Sequence, residues 1–176
     1  MSEDRRTKKT LNAIHDAMIQ CLQTTPVEKV TVTQICKLAD INRSTFYVYY
    51  QDQMELYQQL ETEFIGKLDK EMSNLSSNVT TYEEHFRRLV HCYSENDMLY
   101  MTMLKSRSKA FKAAQREFID KYHFMNSLIK ESDRIMALDY YMNGFNGVVS
   151  AWIESGKKQS EDYIASFLIK LTKSDF

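Results

Sequence analysis

Apolar residues recur at spacings of three and four along most of the chain, which is the pattern of amphipathic helices. The first such stripe predicts a helix over about residues 6–23, which Pro26 ends. The stripe consists of Leu11, Ile14, Met18 and Leu22. In the middle of the chain the same periodicity predicts helices over residues 82–93, 98–104 and 110–129, with a loop at 73–81.

Capping signals place two short helices in the first third of the chain. Thr31 and Gln34 have the spacing of a capping box, and a short apolar stripe follows them. Asp40 lies where the chain must turn, since aspartate tolerates the left-handed conformation better than most non-glycine residues. Asn42 is expected to cap the next helix, over residues 43–50. Two short helices at this separation predict a helix-turn-helix, and a fourth helix follows from residue 53.

The second short helix has two different faces. Phe46 and Tyr50 are four residues apart and are expected to point inward, whereas Arg43, Ser44 and Tyr47 share the opposite side. A helix of this size fits the major groove, where arginine bonds guanine and serine or tyrosine adds further contacts. The alternative is that its tyrosines are ordinary packed aromatic residues. The combination of caps, turn and faces favours a helix that reads DNA.

The C-terminal third shows a longer apolar seam, suited to packing against another helix. Its members are Ile135, Leu138, Met142, Phe145, Val149 and Trp152. Gly144, Gly147 and Ala151 form a small-residue stripe beside the seam, and Gly156 is expected to end the helix. A last helix begins after Ser160. Its apolar stripe consists of Ile164, Phe167, Leu168 and Leu171.

Composition narrows the fold class and excludes several chemistries. The 176 residues include only four Gly and one Pro, which argues against a β-rich fold and against glycine-rich nucleotide cradles. We therefore predict an all-α protein of about nine helices. His85 and His91 are spaced too poorly for a shared metal, and no Gly-x-Ser-x-Gly motif occurs. We expect no enzyme activity, no cofactor and no metal.

Charge and cysteine content bear on where the protein works. The net charge of −1 gives no overall attraction to nucleic acid, so an anion-binding face must come from local placement. The odd set of Cys21, Cys36 and Cys92 contains no C-x-x-C pair and suits a reducing compartment. No run approaches 18 apolar residues. We expect a cytoplasmic protein without a membrane partner.

Residues 31–57, TVTQICKLADINRSTFYVYYQDQMELY, closely resemble the DNA-binding segment of the tetracycline-repressor (TetR/AcrR) family. The resemblance covers roughly residues 7–57, and in that family the helix over residues 43–50 is the recognition helix. Its most specific positions are Ile35, Ala39, Ile41, Thr45, Tyr47, Tyr50, Glu55 and Leu56. The resemblance implies a DNA-binding set of Thr33, Asn42, Arg43, Ser44, Thr45, Tyr47, Tyr49 and Gln53.

The sequence departs from that family at three positions. Asp40 stands where the family usually has glycine, and Gln51 and Gln53 stand where it commonly has lysine. Fewer cations predict fewer released counterions and a shallower salt dependence of DNA binding. The basic residues that lead into the first helix are candidates to supply the missing charge: Arg5, Arg6, Lys8 and Lys9.

Residues 144–160 resemble, less closely, the end of TetR-like regulators from low-GC Gram-positive bacteria. In that family the last two helices pair with their copies in a four-helix dimer interface; a hairpin within one chain is the alternative. The implied interface residues are Leu138, Met142, Phe145, Val149, Trp152, Ile164, Phe167, Leu168 and Leu171.

Ten Met and eleven Tyr residues are enough to line an adaptable cavity, although helical proteins also use both as core. The resemblance implies an effector pocket in the C-terminal half. The first candidates for its lining are Tyr93, Met98, Met101 and Met103.

The sequence thus predicts a DNA-binding domain over residues 1–52 and a ligand-binding and dimerisation domain over residues 53–176. The expected function is that of a transcriptional regulator, a ligand-responsive repressor that binds a near-palindromic DNA operator as a homodimer. Its effector is an unknown small molecule or protein. The alternative, motivated by the absent lysines, is a helical ligand-binding or protein-interaction module that does not bind an operator itself.

Overall fold

Most of the chain is helical in the structure, a computed structural model that describes residues 2–73, 82–121 and 130–173. The α-helices are α1 (Ser2–Leu22), α2 (Val32–Ala39), α3 (Arg43–Tyr49), α4 (Gln53–Ser73), α5 (Tyr82–Glu95), α6 (Asp97–Lys105), α7 (Lys109–Lys121), α8 (Arg134–Glu154) and α9 (Glu161–Lys173). Single 3₁₀ turns at Val27–Lys29 and Glu131–Asp133 precede α2 and α8. The described residues contain no strand, and the all-α prediction is confirmed.

The helix bounds differ from the sequence-based ones mainly at the ends. α1 begins at Ser2 rather than near residue 6, and α3 ends at Tyr49, with Tyr50 as its C-terminal cap. The helix expected over residues 110–129 is present as far as Lys121, and its remaining residues lie outside the described part. The loop expected at 73–81 also lies outside it, apart from Ser73, which ends α4.

Residues 1–64 and 98–107 form one compact unit. Its interior is built from the apolar stripes of the first helices, and His15 on α1 lies against the end of α3, with 2.8 Å between its Nε2 and the Tyr50 hydroxyl. Burial of these stripes is the main favourable contribution to the stability of a helical unit of this size. The largest fully buried side chains of the unit are Tyr100, Phe46, Phe64, Ile14, Met18, Ile35 and Leu56.

Residues 65–97 and 108–176 form a second compact unit. Tyr93 is at the centre of its aromatic core, with its ring centroid 6.0 Å from that of Phe111 and 5.7 Å from that of Phe145. Edge-on contacts of this kind stabilise a core beyond the area that they bury. The predicted boundary between residues 52 and 53 separates DNA binding from ligand binding and dimerisation, and it stays a prediction.

The turn between α8 and α9 has the hydrogen bonds of a Schellman motif. The N–H of Gly156 donates to the Ile153 carbonyl at 2.9 Å, and the N–H of Lys157 donates to the Trp152 carbonyl at 3.0 Å. Gly156 has φ of +82°, a conformation that glycine adopts without steric cost. Ser160 then caps α9 by accepting from the Tyr163 N–H at 3.2 Å. Both predicted helix ends are confirmed.

Candidate nucleic-acid interface and ligand cavity

The predicted capping box at the start of α2 is present. Thr31 Oγ1 accepts from the Gln34 N–H at 3.3 Å, and Gln34 Oε1 accepts from the Thr31 N–H at 2.9 Å. Two N–H groups that the helix leaves without internal partners are thereby satisfied. The box fixes the first turn of α2, where Thr33 is exposed.

The turn of the helix-turn-helix depends on Asp40. It has φ of 52° and ψ of 50°, as predicted for a residue that stands where glycine is usual, and its N–H donates to the Cys36 carbonyl. Asn42 occupies the N-cap position of α3, as predicted, but its side chain makes no capping hydrogen bond. The Asn42 carbonyl accepts from the N–H groups of Thr45 and Phe46 instead, and its exposed amide faces outward.

The two faces of α3 are divided as the sequence predicts. Phe46 is fully buried and Tyr50 is 3% exposed, and their ring centroids are 5.6 Å apart. Arg43, Ser44 and Tyr47 are exposed on the opposite side. The sequence argument missed Val48, which is 74% exposed. Its spacing of four from Ser44 was the available signal, because residues four apart share a helix face.

Arg43 and Tyr47 interact with each other on this exposed face. Nη2 of Arg43 donates to the Tyr47 hydroxyl at 3.1 Å, and the guanidinium carbon lies 5.9 Å from the centroid of the tyrosine ring. The hydrogen bond with Tyr47 raises the pKa of Arg43 further above its ordinary value. The face therefore presents a permanently charged fork of donors beside an apolar Val48 side chain.

A polar groove of about 750 Å³ lies where α1, α2 and α3 approach one another. Arg6 and Lys37 bring positive charge to it, and Asp40 brings one negative charge. Among the predicted DNA-binding residues, those that line it are Asn42, Thr45 and Tyr49. Lys37 was not among the predicted DNA-binding residues. Its position in the last turn of α2, just before the turn of the helix-turn-helix, was the available signal.

Gln53 begins α4 and is half-buried, outside the residues that line this groove. Asp52 caps the helix, since its Oδ1 accepts from the N–H groups of Met54 at 2.8 Å and Glu55 at 2.9 Å. Glu55 reaches back to the N–H of Gln51 at 2.6 Å, one residue earlier than a capping box requires. The start of α4 is thus held by carboxylates, and neither glutamine adds a charge.

The second unit contains a cavity of about 530 Å³. It lies among α5, α7, α8 and α9 and opens partly to solvent, since its lining includes the exposed Tyr140 and Leu171. Its walls are mainly aromatic and aliphatic. The lining residues with hydrogen-bonding side chains are Tyr93, Gln115, Tyr140, Tyr141, Asn143 and Thr172. Pockets of this size with few polar groups are typical of small-molecule sites.

The structure does not bring the four predicted pocket residues together. Tyr93 lines the cavity, but Met98, Met101 and Met103 lie on α6 in the other compact unit and do not. Met101 and Met103 are buried there, because α6 turns its apolar residues into the core of that unit.

The nine predicted interface residues divide into two groups. Six are buried within the single chain: Leu138, Met142, Val149, Trp152, Ile164 and Leu168. Phe145 is half-buried, whereas Phe167 and Leu171 are 41% and 49% exposed. Ile135, the first member of the predicted seam, is 67% exposed.

A second stripe, which we call the outer stripe, is exposed on α8 and α9. Its apolar and small members are Met136, Tyr140, Gly144, Gly147, Ala151, Tyr163, Phe167 and Leu171. A Cβ atom built at Gly144 or Gly147 meets nothing within 4 Å. The small residues of α8 therefore have no close neighbour among the described residues of this chain.

His91, Glu95 and Glu161 form the one group of described residues that could hold a metal ion, with ligand atoms within 4.8 Å of one another. His91 Nδ1 is 2.8 Å from Glu161 Oε2. Burial acts to raise the pKa of Glu161, but hydrogen bonds with Ser94 and His91 and the charge of Lys157 lower it overall. These partners already compensate the negative charge of Glu161, so the contact between α5 and α9 needs no metal ion to explain it.

None of the described helices is both long enough and apolar enough to cross a bilayer.

A family model of the TetR group described as "Transcriptional regulator C-terminal region" matches residues 80–174, more than half of the chain. No curated protein matches the sequence. Among solved structures, the TetR transcriptional regulator from Streptococcus agalactiae 2603V shares 22% identity at a TM-score of 0.67, with 98% of both chains covered.

Two further solved structures have the same fold. The transcriptional regulator FadR from Bacillus subtilis, in complex with stearoyl-CoA, shares 14% identity at a TM-score of 0.65 over 93% of this chain and 98% of that chain. The dihydroxyacetone kinase operon activator DhaS shares 20% identity at a TM-score of 0.57 over 93% of both chains. At these identities the likeness shows the fold alone.

A helix-turn-helix with an exposed second helix, followed by a larger all-helical unit, defines a class of helical transcriptional regulators. The chain belongs to the TetR family of transcriptional regulators, as the matched C-terminal region shows. Members of this family are regulators and not enzymes.

Proposed function

We propose that this protein binds an operator as a homodimer, with the exposed face of α3 in the major groove of each half-site. The observation that carries the proposal is the division of α3: Phe46 is fully buried, while Arg43, Ser44 and Tyr47 are exposed together. Arginine bonds the O6 and N7 atoms of guanine, and an apolar side chain such as Val48 can contact a thymine methyl. The two recognition helices of a dimer then read half-sites about 34–36 Å apart.

The polar groove beside α3 suits the DNA backbone. Arg6 and Lys37 attract phosphate, and Asn42, Thr45 and Tyr49 offer neutral donors at the same place. Thr33 and Gln53 complete the proposed set, as neutral contacts at the edges of the DNA major groove. Asp40 offsets part of the charge, so we expect a modest salt dependence of binding.

In the proposed dimer, the outer stripes of two copies pack against each other. Gly144, Gly147 and Ala151 let the backbones approach, and Phe167 and Leu171 supply apolar area that this chain leaves exposed. The buried members of the predicted interface pack within each chain and hold α8 and α9 in place. This arrangement assigns DNA binding to residues 1–52 and dimerisation with ligand binding to residues 53–176.

The cavity of the second unit is the proposed effector site. An effector shifts DNA affinity only if it binds the operator-competent and incompetent states with different affinity. We favour repression, in which the dimer occupies its operator until the effector, a small molecule or a protein, binds. One structural neighbour is an operon activator and another is a regulator in complex with stearoyl-CoA, and each of these properties belongs to that protein. A protein that acts on operator DNA in this way works in the cytoplasm.

The second candidate function is a helical ligand-binding or protein-interaction module without operator binding of its own. The uncharged Gln51 and Gln53 at the start of α4 favour it, because the proposed backbone contacts then depend on few cations.

A selection from random duplex DNA distinguishes the two functions. Enrichment of an inverted repeat, lost when the α3 face is altered by Ser44→Ala together with Arg43→Ala, supports the operator-binding regulator. A control variant at an exposed residue of the second compact unit, Lys158→Ala, should enrich the same repeat. Sequence-independent recovery at low salt only would favour the second candidate.

A further inference from the structure

The cavity of the second unit offers hydrogen bonds but no charge. We propose that its ligand is an uncharged, mainly aromatic or aliphatic molecule that donates one N–H or O–H hydrogen bond to Gln115. This inference rests on the proposed function, in which the cavity is the effector site.

Size and walls of the cavity fit such a molecule. Its volume of about 530 Å³ is within the range of ordinary small-molecule sites. The walls include Phe86, Leu89, Phe145, Val148 and Leu168. Burial of an apolar ligand against these side chains provides most of the attraction, and the polar groups set its orientation.

Gln115 is the polar group best placed to select a ligand, because it is 6% exposed and its orientation is fixed. Its Nε2 donates to the Tyr93 hydroxyl at 3.2 Å and to Asn146 Oδ1 at 2.8 Å. Its Oε1 accepts from Asn146 Nδ2 at 3.1 Å. Both amide protons are therefore engaged, whereas an amide oxygen can accept two hydrogen bonds. Oε1 of Gln115 can therefore accept one further hydrogen bond, which a ligand with an N–H or O–H group would donate.

The described lining of the cavity has no charged residue that would compensate a buried anion or cation. None of the described residues that line the cavity is Lys, Arg, His, Asp or Glu. Asp139 is paired with Arg116, whose Nη2 is 2.6 Å from Asp139 Oδ1, and with Lys112, whose Nζ is 3.8 Å from the same oxygen, and none of these three side chains lines the cavity. Moving a ligand charge from water into such a site is unfavourable without a partner of opposite sign.

Calorimetric titration of the full-length protein with three naphthalene probes tests the proposal. 2-Naphthol is neutral and donates, 2-methoxynaphthalene is neutral and cannot donate, and 2-naphthoate is an anion of similar shape. We expect 2-naphthol to bind about one molecule per chain, 2-methoxynaphthalene to bind several-fold more weakly, and 2-naphthoate to bind at least about tenfold more weakly.

Variants separate the role of Gln115 from that of the cavity. Gln115→Met keeps the length of the side chain and removes the amide, so the preference for 2-naphthol over 2-methoxynaphthalene should fall to about one. A merely structural role would weaken both probes and leave their ratio unchanged. Val148→Phe narrows the cavity and should weaken both neutral probes, which provides a test if Gln115→Met does not fold. The matched control is Gln58→Met, at an exposed residue of α4, with wild-type binding expected.

Equal or tighter binding of 2-naphthoate, no binding of 2-naphthol, or an unchanged preference in a folded Gln115→Met variant would each overturn the proposal. The random-duplex selection on the same preparation keeps the two inferences separate. An enriched inverted repeat without 2-naphthol binding refutes the ligand class alone, whereas 2-naphthol binding without enrichment refutes operator binding alone.

Discussion

Arg43 and Tyr47 lie one helical turn apart on the exposed face of α3, where Nη2 of Arg43 donates to the Tyr47 hydroxyl at 3.1 Å. This contact restrains a long, mobile arginine side chain before DNA arrives. A restrained side chain loses less conformational entropy on binding, so the interface is partly preorganised.

Arg43→Ala should cost about 1–3 kcal/mol of operator affinity, concentrated at one base position, because a bidentate contact to one guanine is lost. Fluorescence anisotropy with a series of single-base operator variants measures this. Lys158→Ala, which removes one positive charge from the exposed end of the α8–α9 turn, should change affinity little at every position. A uniform loss across all sequences in Arg43→Ala would instead identify Arg43 as a phosphate contact.

Asp40→Gly should stabilise the protein by up to about 1 kcal/mol, since the residue has φ of 52° and glycine adopts this conformation without steric cost. At this chain length the midpoint of thermal unfolding should rise by up to about 4 °C. Asp16→Gly, within α1, is the matched control and should not raise the midpoint, because glycine disfavours a helix interior. A lower midpoint in Asp40→Gly would show that the aspartate side chain stabilises the turn.

Gly147→Leu should weaken the dimer at least about tenfold, because the added side chain separates backbones that small residues allow to approach. Sedimentation equilibrium across a concentration series measures the dissociation constant. The chain offers a close control in Gly66→Leu: both glycines are exposed within helices, and a Cβ at either meets nothing within 4 Å. If the two variants have the same dissociation constant as the wild type, the outer stripe is not the dimer interface.

Alkaline unfolding should report the buried hydroxyl of Tyr50. Burial, together with the charges of Glu63 and Glu55, raises the pKa of Tyr50 from 10.0 to about 12. The folded state thus favours the protonated hydroxyl, so its contribution to stability is present below pH 10.0 and is lost as the pH rises towards about 12.

Tyr50→Phe should therefore lose less stability between about pH 8 and about pH 11 than the wild type does. At neutral pH the variant should be less stable by about 1 kcal/mol, since it lacks the hydrogen bond to His15. Urea unfolding at both pH values provides the free energies of unfolding. Tyr163→Phe, at a residue that is 59% exposed, should keep the wild-type alkaline loss. If Tyr50→Phe loses as much stability at alkaline pH as the wild type does, a group other than Tyr50 is responsible for the loss.

Features set by neighbouring residues could be predicted from the sequence. The capping box of Thr31 and Gln34, the left-handed Asp40 and the glycine turn after α8 all depend on a few adjacent positions. The division of α3 into a buried and an exposed face followed from helical spacing alone. Asn42 is the N-cap as predicted, although its side chain makes no capping hydrogen bond, because a cap position does not oblige the side chain to bond.

Features set by distant residues could not be predicted in this way. Gln115 and Asn146 are 31 positions apart, and only the packing of α7 against α8 brings their amides together. Periodicity likewise predicts a helix around Met101 and Met103, but it carries no information about which cavity or core that helix joins.

The sequence by itself determined the all-α class, the helix-turn-helix and the residues that α3 exposes, because helix caps and helical spacing are local properties of the chain. Only the tertiary structure decided that Leu138 and Trp152 are covered within one chain while Phe167 is left exposed. It also decided where the uncharged cavity lies. A helix face buries whatever its neighbours cover, and those neighbours are chosen by the packing of the whole unit.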